Sequence, residues 1–172
     1  MRKYKESEIK EKVEIALGML FKNDVFLLKY DVNECSISHK LAEYLQQLFS
    51  DYHVDCEYNR VGNLTADEEY FNKKLRLYKN TKCLDGETVY PDIIIHKRGI
   101  KNNLLVIEIK KLTNKKCLTD DYKKILGFLT SNDFKYQFGL FLRLERNRVK
   151  VFDLYGNNDA DLRILMEKTH EK

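Results

Sequence analysis

Two short apolar runs constrain the fold of this chain more than any other feature of its sequence. The first, Ile93–Ile95, directly follows Asp92 and the chain's only proline, Pro91. The second is Leu104–Ile109. Both runs are rich in Ile, Leu and Val, and the turn-forming residues 97–103 lie between them. We therefore expect two β-strands that pair as a hairpin.

Charged residues lie where these two predicted strands meet. Glu108 and Lys110 share one strand face with Val106 and Leu104, because side chains alternate along a strand. Neighbouring strands lie about 4.8 Å apart, so Asp92 can reach the pocket that Glu108 faces. An unpaired buried charge is costly, so such a group needs a partner or a ligand. Two carboxylates beside an ammonium are the parts that hold a hard cation and an activated water.

A plainer interpretation of the same residues stays open. Glu108 and Lys110 would then form an ion pair at an exposed sheet edge, and Asp92 would only follow a turn proline. The apolar run Leu104–Ile109 indicates instead a central strand that is covered on both faces. We therefore favour a functional site at this position.

The order of these residues resembles the signature of the PD-(D/E)XK nuclease superfamily, which has the restriction-endonuclease-like fold. Asp92 follows Pro91, fifteen residues separate it from Glu108, and Lys110 comes two positions later. The resemblance covers roughly residues 31–153. It implies that Asp92, Glu108 and the backbone carbonyl of Ile109 bind Mg²⁺, with Mn²⁺ as a substitute, and that Lys110 assists the attacking water.

The superfamily often carries a further glutamate on the helix before the first core strand, and Glu34 is the match. A helix here is indicated by apolar residues at helical spacing: Ile37, Leu41, Leu45 and Leu48. Glu34 falls on the same stripe of that helix, so it is a candidate catalytic residue and a candidate ligand for a second metal or a water. The alternative is that Glu34 only caps the helix beside Asp31 or Asn33.

The remaining patterns predict helices and strands on either side of the hairpin. We expect helices at Glu8–Phe21 (capped by Ser7), Thr119–Leu129 and Asp159–Lys168, a further helix around Phe71–Tyr78, and strands at Val54–Tyr58, Tyr136–Leu142 and Val149–Leu154. This order predicts a three-layer α/β/α fold with a central mixed sheet of four or five strands, restriction-endonuclease-like. Residues 1–172 are expected to form a single domain, with an N-terminal helical segment (about 1–30) packed on it.

Charge is concentrated around the candidate site. The net charge of the chain is +4, whereas the segment Lys97–Lys124 holds nine basic residues against three acidic ones, a net +6. Lysines beside a carboxylate pocket favour a polyanionic partner, and we expect nucleic acid, with DNA favoured over RNA. The alternative is a solubilising surface. His96 and Glu57 lie nearby, and we expect His96 at a turn end in solvent.

Other sequence features narrow the class of protein. The four cysteines are far apart and lack metal-site spacing, which favours reduced thiols in the cytoplasm. No apolar stretch is long enough for a membrane span, and the first residues do not resemble a signal peptide. A homodimer is compatible with the resemblance, because enzymes that cut both strands usually need two active sites.

We therefore expect a metal-dependent nuclease that hydrolyses phosphodiester bonds. A catalytically inactive nucleic-acid-binding module with the same fold, acting within a larger assembly, is the first alternative. A structural or interaction protein in which the same charges form a buried ion-pair network is the second.

Overall fold

The computed structural model describes residues 3–58, 90–114 and 118–170, together with the backbone of the short segments 60–61, 71–72, 74–75 and 87–88. The described helices are α1 (Glu6–Asn23), α2 (Val25–Lys29), α3 (Glu34–Leu48), α4 (Thr119–Thr130) and α5 (Asp159–Lys168). The strands are β1 (His53–Cys56), β2 (Arg60–Val61), β3 (Phe71–Asn72), β4 (Lys74–Leu75), β5 (Glu87–Thr88), β6 (Ile93–Lys97), β7 (Asn102–Lys111), β8 (Phe138–Glu145) and β9 (Arg148–Gly156).

A five-stranded mixed sheet forms the centre of the molecule, in the order β1-β6-β7-β8-β9. Strands β6 and β7 pair antiparallel, which confirms the predicted hairpin. Strand β8 lies parallel to β7, and the chain makes that crossover through α4. The remaining pairs in this sheet are antiparallel. The predicted mixed sheet of four or five strands is therefore confirmed, with five.

Helices cover both faces of this sheet, because its central strands are apolar on both faces. Ile93 and Ile95 pack on the side of α1 and α3, whereas Ile94 and Val106 pack on the side of α4 and α5. This alternation produces the three layers that the sequence predicted. The N-terminal helix α1 packs through an apolar stripe of buried residues, namely Ile9, Val13, Ala16, Leu17 and Leu20.

A β-bulge in β7 changes the face on which one predicted residue lies. Ile95 pairs with Leu105 and His96 with Asn103, so Leu104 is an extra residue in β7. Leu104 is consequently buried in the cluster on the α1 and α3 side. The prediction that it shares a face with Glu108 is wrong, because strict alternation holds only where no bulge interrupts the ladder.

Two local predictions are also wrong. The helix expected around Phe71–Tyr78 is absent at its described positions, because β3 pairs with β2 and β4 pairs with β5, while Tyr78 lies outside the described residues. Pairing with distant partners decides such short segments more strongly than their own spacing does. Helix α1 begins at Glu6, before the expected cap Ser7, and the Lys5 N–H donates to Glu8 Oε2 at 2.9 Å.

Glycine at position 139 allows α4 to pack closely against the sheet. A Cβ atom added to Gly139 would overlap the Ile125 Cγ2 methyl and would lie 3.3 Å from Leu129 Cδ1. Both neighbours belong to α4, and both are buried. The separation between α4 and β8 therefore depends on the missing side chain. None of the described helices is both long and apolar enough to cross a bilayer.

We predict that Gly139→Ala lowers the free energy of unfolding by about 1–3 kcal/mol, because the added methyl overpacks the interface between α4 and the sheet. Urea unfolding followed by circular dichroism measures the change. Gly18→Ala is the matched control, since no heavy atom lies within 4 Å of its added Cβ in α1. That variant should be unchanged or about 0.5–1 kcal/mol more stable. Equal effects in both variants would contradict the packing argument.

Candidate metal centre

The pairing of β6 with β7 places two carboxylates side by side. Ile93 pairs with Ile107, so one step outward along the ladder sets Asp92 opposite Glu108. Directly opposite residues of an antiparallel pair have Cβ atoms about 4.5–5.5 Å apart. The Ile109 N–H donates to Asp92 Oδ2 at 2.6 Å, which holds this carboxylate against β7. The two acids that the sequence singled out are thus brought together.

Glu108 is buried and Asp92 is half-buried, and this changes the acidity of both carboxylates. The Glu108 side chain is 1% exposed. Burial, followed by the nearby Asp92 charge, raises the pKa of Glu108 well above its usual range. Burial also raises the pKa of Asp92 to about 6, although the bond from Ile109 opposes the change. The Asp92 charge therefore makes Glu108 costlier to ionise unless a cation is present.

One oxygen of Glu108 has no hydrogen-bond partner within the part of the chain that the structure describes. This atom, Oε1, is buried, whereas Oε2 accepts from Lys124 Nζ at 2.9 Å. A buried carboxylate oxygen without a partner is unfavourable in a folded protein, and a bound cation or water would satisfy it. A ligand that donates to this atom or coordinates it would remove that cost.

Lys124 on α4 belongs to this centre, whereas the sequence placed it only in the basic segment around the site and gave it no individual role. Its ammonium contacts Glu108, and its side chain is 28% exposed. Burial lowers the pKa of Lys124, but the Glu108 charge and hydrogen bond outweigh that effect and raise it overall. The sequence does contain a signal for this residue, because Lys124 lies beside the apolar face of its predicted helix. That face consists of Tyr122, Ile125, Phe128 and Leu129.

Lys110 lies on the same strand face as Glu108 but has a different partner. Its Nζ lies 2.5 Å from Asp121 Oδ2, outside hydrogen-bonding geometry, and the two side chains are 9% and 10% exposed. The Asp121 charge also raises the pKa of Asp92 and of Glu108, so the two ion pairs are electrostatically close. The centre therefore contains two carboxylates and two crossed ion pairs between β7 and α4.

Glu34 joins the start of α3 to the end of β7. Its Oε1 accepts from the Lys111 N–H at 2.8 Å, and Asn114 Nδ2 donates to Oε1 and Oε2 at 3.0 and 3.1 Å. Asn33, rather than Glu34, caps the helix by accepting from the Ser36 N–H. The Glu34 charge still raises the pKa of Asp92. Glu34 therefore adjoins the centre, with both of its oxygens already hydrogen-bonded.

The centre has too few carboxylates to hold a metal by side chains alone. No group of three or more His, Cys, Asp or Glu side chains within these residues is arranged to hold an ion. Mg²⁺ commonly uses only one or two carboxylates and completes its shell with waters and phosphate oxygens. The Ile109 N–H points toward Asp92, and the carbonyl of a strand residue points to the same side as its N–H. Ile109 therefore directs its carbonyl toward the same strand edge.

A cleft of about 550 Å³ opens beside Asp92, between α2, α3 and the ends of β1 and β6. Its walls include Glu57, Cys35 and Cys56, and the Cys35 thiol donates to Glu57 Oε1 at 3.1 Å. Burial, followed by the Asp55 charge, raises the pKa of Cys56 to about 11, so this thiol is neutral at physiological pH. The cleft gives solvent a route to Asp92.

The lysine-rich segment is less positive in the structure than its composition indicates. Lys111 Nζ lies 2.9 Å from Asp31 Oδ1, and Lys123 Nζ lies 3.5 Å from Asp120 Oδ1. With the pairs at Lys110 and Lys124, each of these four lysines contacts an acid. Lys115 and Lys116, which belong to the same basic segment Lys97–Lys124, lie outside the described residues.

His96 is buried, so its expected position in solvent is wrong. It is 4% exposed, its Nε2 lies 2.8 Å from Asp55 Oδ2, and the Tyr58 ring packs at 4.7 Å between centroids. Burial would raise the pKa of Asp55, but His96 and Arg98 together hold it well below its usual range. The prediction failed because β1 pairs alongside β6, which the turn sequence does not indicate.

No protein-family model and no curated protein matches the chain. Among solved structures it is similar to the crystal structure of SSO0001, with 14% sequence identity and a TM-score of 0.35 over 95% of this chain and 83% of that one. This similarity carries no argument about function. The likeness to the PD-(D/E)XK superfamily therefore rests on the residues described above.

We predict that Asp92→Asn stabilises the protein at pH 8 but not at pH 4, measured by urea unfolding with chelator present. The folded-state pKa of Asp92, about 6, lies above its ordinary 3.8, so its favourable contribution is complete below pH 3.8 and is lost as the pH rises through 6. At pH 8 the asparagine variant should gain on the order of 2–3 kcal/mol. Asp51→Asn, on an exposed turn, is the control. A gain of equal size at both pH values would refute the prediction.

Proposed function

We propose that this protein is a metal-dependent nuclease that hydrolyses phosphodiester bonds, with DNA favoured as the substrate. The observation that carries the proposal is the half-buried Asp92 beside the buried Glu108 at the start of β6, where Glu108 Oε1 lacks a hydrogen-bond partner among the described residues. A pair of this kind is costly in an apo protein and becomes favourable when a divalent cation neutralises it.

The roles of the residues follow from their positions. Asp92, Glu108 and the Ile109 carbonyl would hold Mg²⁺ or Mn²⁺. The bound ion would polarise a phosphate oxygen and lower the pKa of the attacking water. A protein ammonium would assist that water or stabilise the charge that develops on phosphate, a role that the sequence motif gives to Lys110. Glu34 would support the centre by fixing the end of β7 against α3.

The cleft beside Asp92 supports access to this centre. Three further acids in its walls have partners of their own: Asp24 accepts from Tyr44, Glu43 from Lys40, and Glu57 from Cys35. Only the Glu43 contact pairs an acid with a cation, so Asp24 and Glu57 keep their negative charge, which a bound metal ion would offset when a phosphate enters. The proposal includes a cytoplasmic protein with reduced thiols and, for cleavage of a duplex, a homodimer with two such centres.

One observation favours the alternative of an inactive nucleic-acid-binding module. The charged residues of β7 already have partners on α4, with Lys124 on Glu108 and Asp121 on Lys110. Such a network can neutralise the centre without a metal. Against this alternative, Asp92 has no ammonium of its own in these contacts and accepts only a backbone N–H among its described hydrogen bonds.

We predict that the purified protein cleaves at least one member of a panel of single-stranded, duplex and branched DNA and RNA, with Mg²⁺ or Mn²⁺ and not with chelator. Asp92→Asn and Glu108→Gln should each lower the cleavage rate by about 100-fold or more, because each removes a metal ligand. Gel assays with end-labelled substrates measure the rates. Glu43→Gln, an exposed acid on the cleft wall, is the control and should retain the parent rate.

The other outcomes separate the alternatives. Tight binding of a nucleic acid without cleavage, unchanged by chelator, would identify the binding module. If the protein neither binds nor cleaves any member of the panel, the remaining interpretation is that these charges form a buried ion-pair network. Cleavage that survives Asp92→Asn at the parent rate would refute the proposed centre.

A further inference from the structure

Two lysines approach the proposed centre, and the structure gives them different environments. Lys110, the lysine of the sequence motif, is 9% exposed and contacts Asp121, which is itself 10% exposed. Lys124 is 28% exposed and contacts Glu108 at 2.9 Å. The first ammonium is enclosed with its counter-ion, whereas the second lies between a buried carboxylate and solvent.

The enclosed pair opposes a direct role for Lys110 in the reaction. To reach a phosphate or a water, the Lys110 ammonium would have to leave Asp121. That movement would leave an unpaired carboxylate in a buried position, where solvation is poor. Lys124 meets no such obstacle, because its side chain already reaches solvent and its partner Glu108 would be neutralised by a bound cation.

The positions on α4 are complementary to those on β7. Glu108 and Lys110 are two residues apart and share one strand face, while Asp121 and Lys124 are three residues apart and lie on neighbouring turns of one helix face. Each acid thus meets a base from the other element. Gly139 permits the close packing of α4 that brings these groups into contact.

We propose that Lys124 is the catalytic lysine of this centre and that Lys110, enclosed in an ion pair with Asp121, has a structural role and takes no part in the reaction. The inference rests on the proposed nuclease function and changes its assignment of the ammonium. In the reaction, a water oxygen forms a bond to phosphorus and releases a proton to solvent. The bond from phosphorus to the leaving oxygen breaks, and that oxygen keeps the electron pair and takes a proton from solvent. Lys124 stays protonated and stabilises the charge that develops on phosphate.

Two sets of variants test the assignment. Lys124→Met removes the ammonium and keeps the rest of the unbranched side chain, and Lys124→Arg restores the charge. The double variant Lys110→Met with Asp121→Leu replaces the buried ion pair with apolar side chains, which proteins often tolerate without loss of stability. Thermal unfolding establishes that each variant is folded. The substrate is the nucleic acid from the panel that the parent cleaves fastest.

We expect Lys124→Met to lower the Mg²⁺-dependent cleavage rate by about 100-fold or more, because one donor to the developing charge is lost. Lys124→Arg should recover part of the rate. The double variant should retain cleavage within about tenfold of the parent, because removal of a buried, neutralised pair leaves the reacting groups in place.

Two measurements without turnover distinguish a substrate contact from a structural effect. With Ca²⁺ in place of Mg²⁺, fluorescence anisotropy should show that Lys124→Met binds the substrate more weakly. The slope of the logarithm of the binding constant against the logarithm of the salt concentration should be smaller by about one, as expected for one lost phosphate contact. The double variant should bind as the parent does. Mn²⁺ titration followed by electron paramagnetic resonance should show that Lys124→Met binds the ion at least as tightly as the parent, because Lys124 competes for Glu108.

Three results would overturn the inference. The first is cleavage by Lys124→Met at the parent rate. The second is a folded double variant that cleaves at less than about 1% of the parent rate, because this would return the catalytic role to Lys110. The third is weaker Mn²⁺ binding by Lys124→Met, which would mean that Lys124 only positions the metal ligands. All three leave the nuclease proposal intact, whereas a parent that cleaves no member of the panel removes both.

Discussion

The register between β6 and β7 is the constraint on which the rest of the centre depends. Ile93 lies opposite Ile107, and this one pairing decides that Asp92 meets Glu108 and that the Ile109 N–H meets Asp92. A slip by one residue would turn Glu108 to the opposite face of the sheet. The apolar residues of both strands resist that slip, because either face would then bury the wrong side chains. The bulge at Leu104 lies toward the turn, so it changes the far end of the hairpin and leaves the carboxylate pair in place.

Close packing of α4 is the second requirement, and it explains how so much charge is tolerated inside the protein. The face of β7 that carries Glu108 and Lys110 would be too polar for an apolar layer. Helix α4 places Asp121 and Lys124 among apolar residues, so each charged side chain of β7 contacts a side chain of opposite charge. Asp92 completes the arrangement without an ammonium of its own, and in the proposed function a bound cation would offset this imbalance.

The sequence predicted the parts of this architecture that local patterns determine. Helix α5 has the predicted bounds, β6 and β7 form the expected hairpin, and Glu34 begins its helix beside the strand end. It could not predict features that arise from distant contacts. The partners Asp121 and Lys124 depend on how α4 crosses the sheet, and the burial of His96 depends on β1 lying next to β6. The motif identified the two acids, but only the fold shows which lysine is enclosed.

The outer strands of the sheet affect how this protein can associate with itself. In the described part of the chain, β1 has four residues, while β9 has nine and carries Arg148 and Lys150 with exposed side chains. If a second molecule paired its own β9 with this edge strand, the basic side chains of the two strands would lie close together. Cationic groups on a border strand oppose such stacking, which in other proteins leads to fibres. These charged side chains on β9 therefore oppose extension of the sheet by a second copy of the chain.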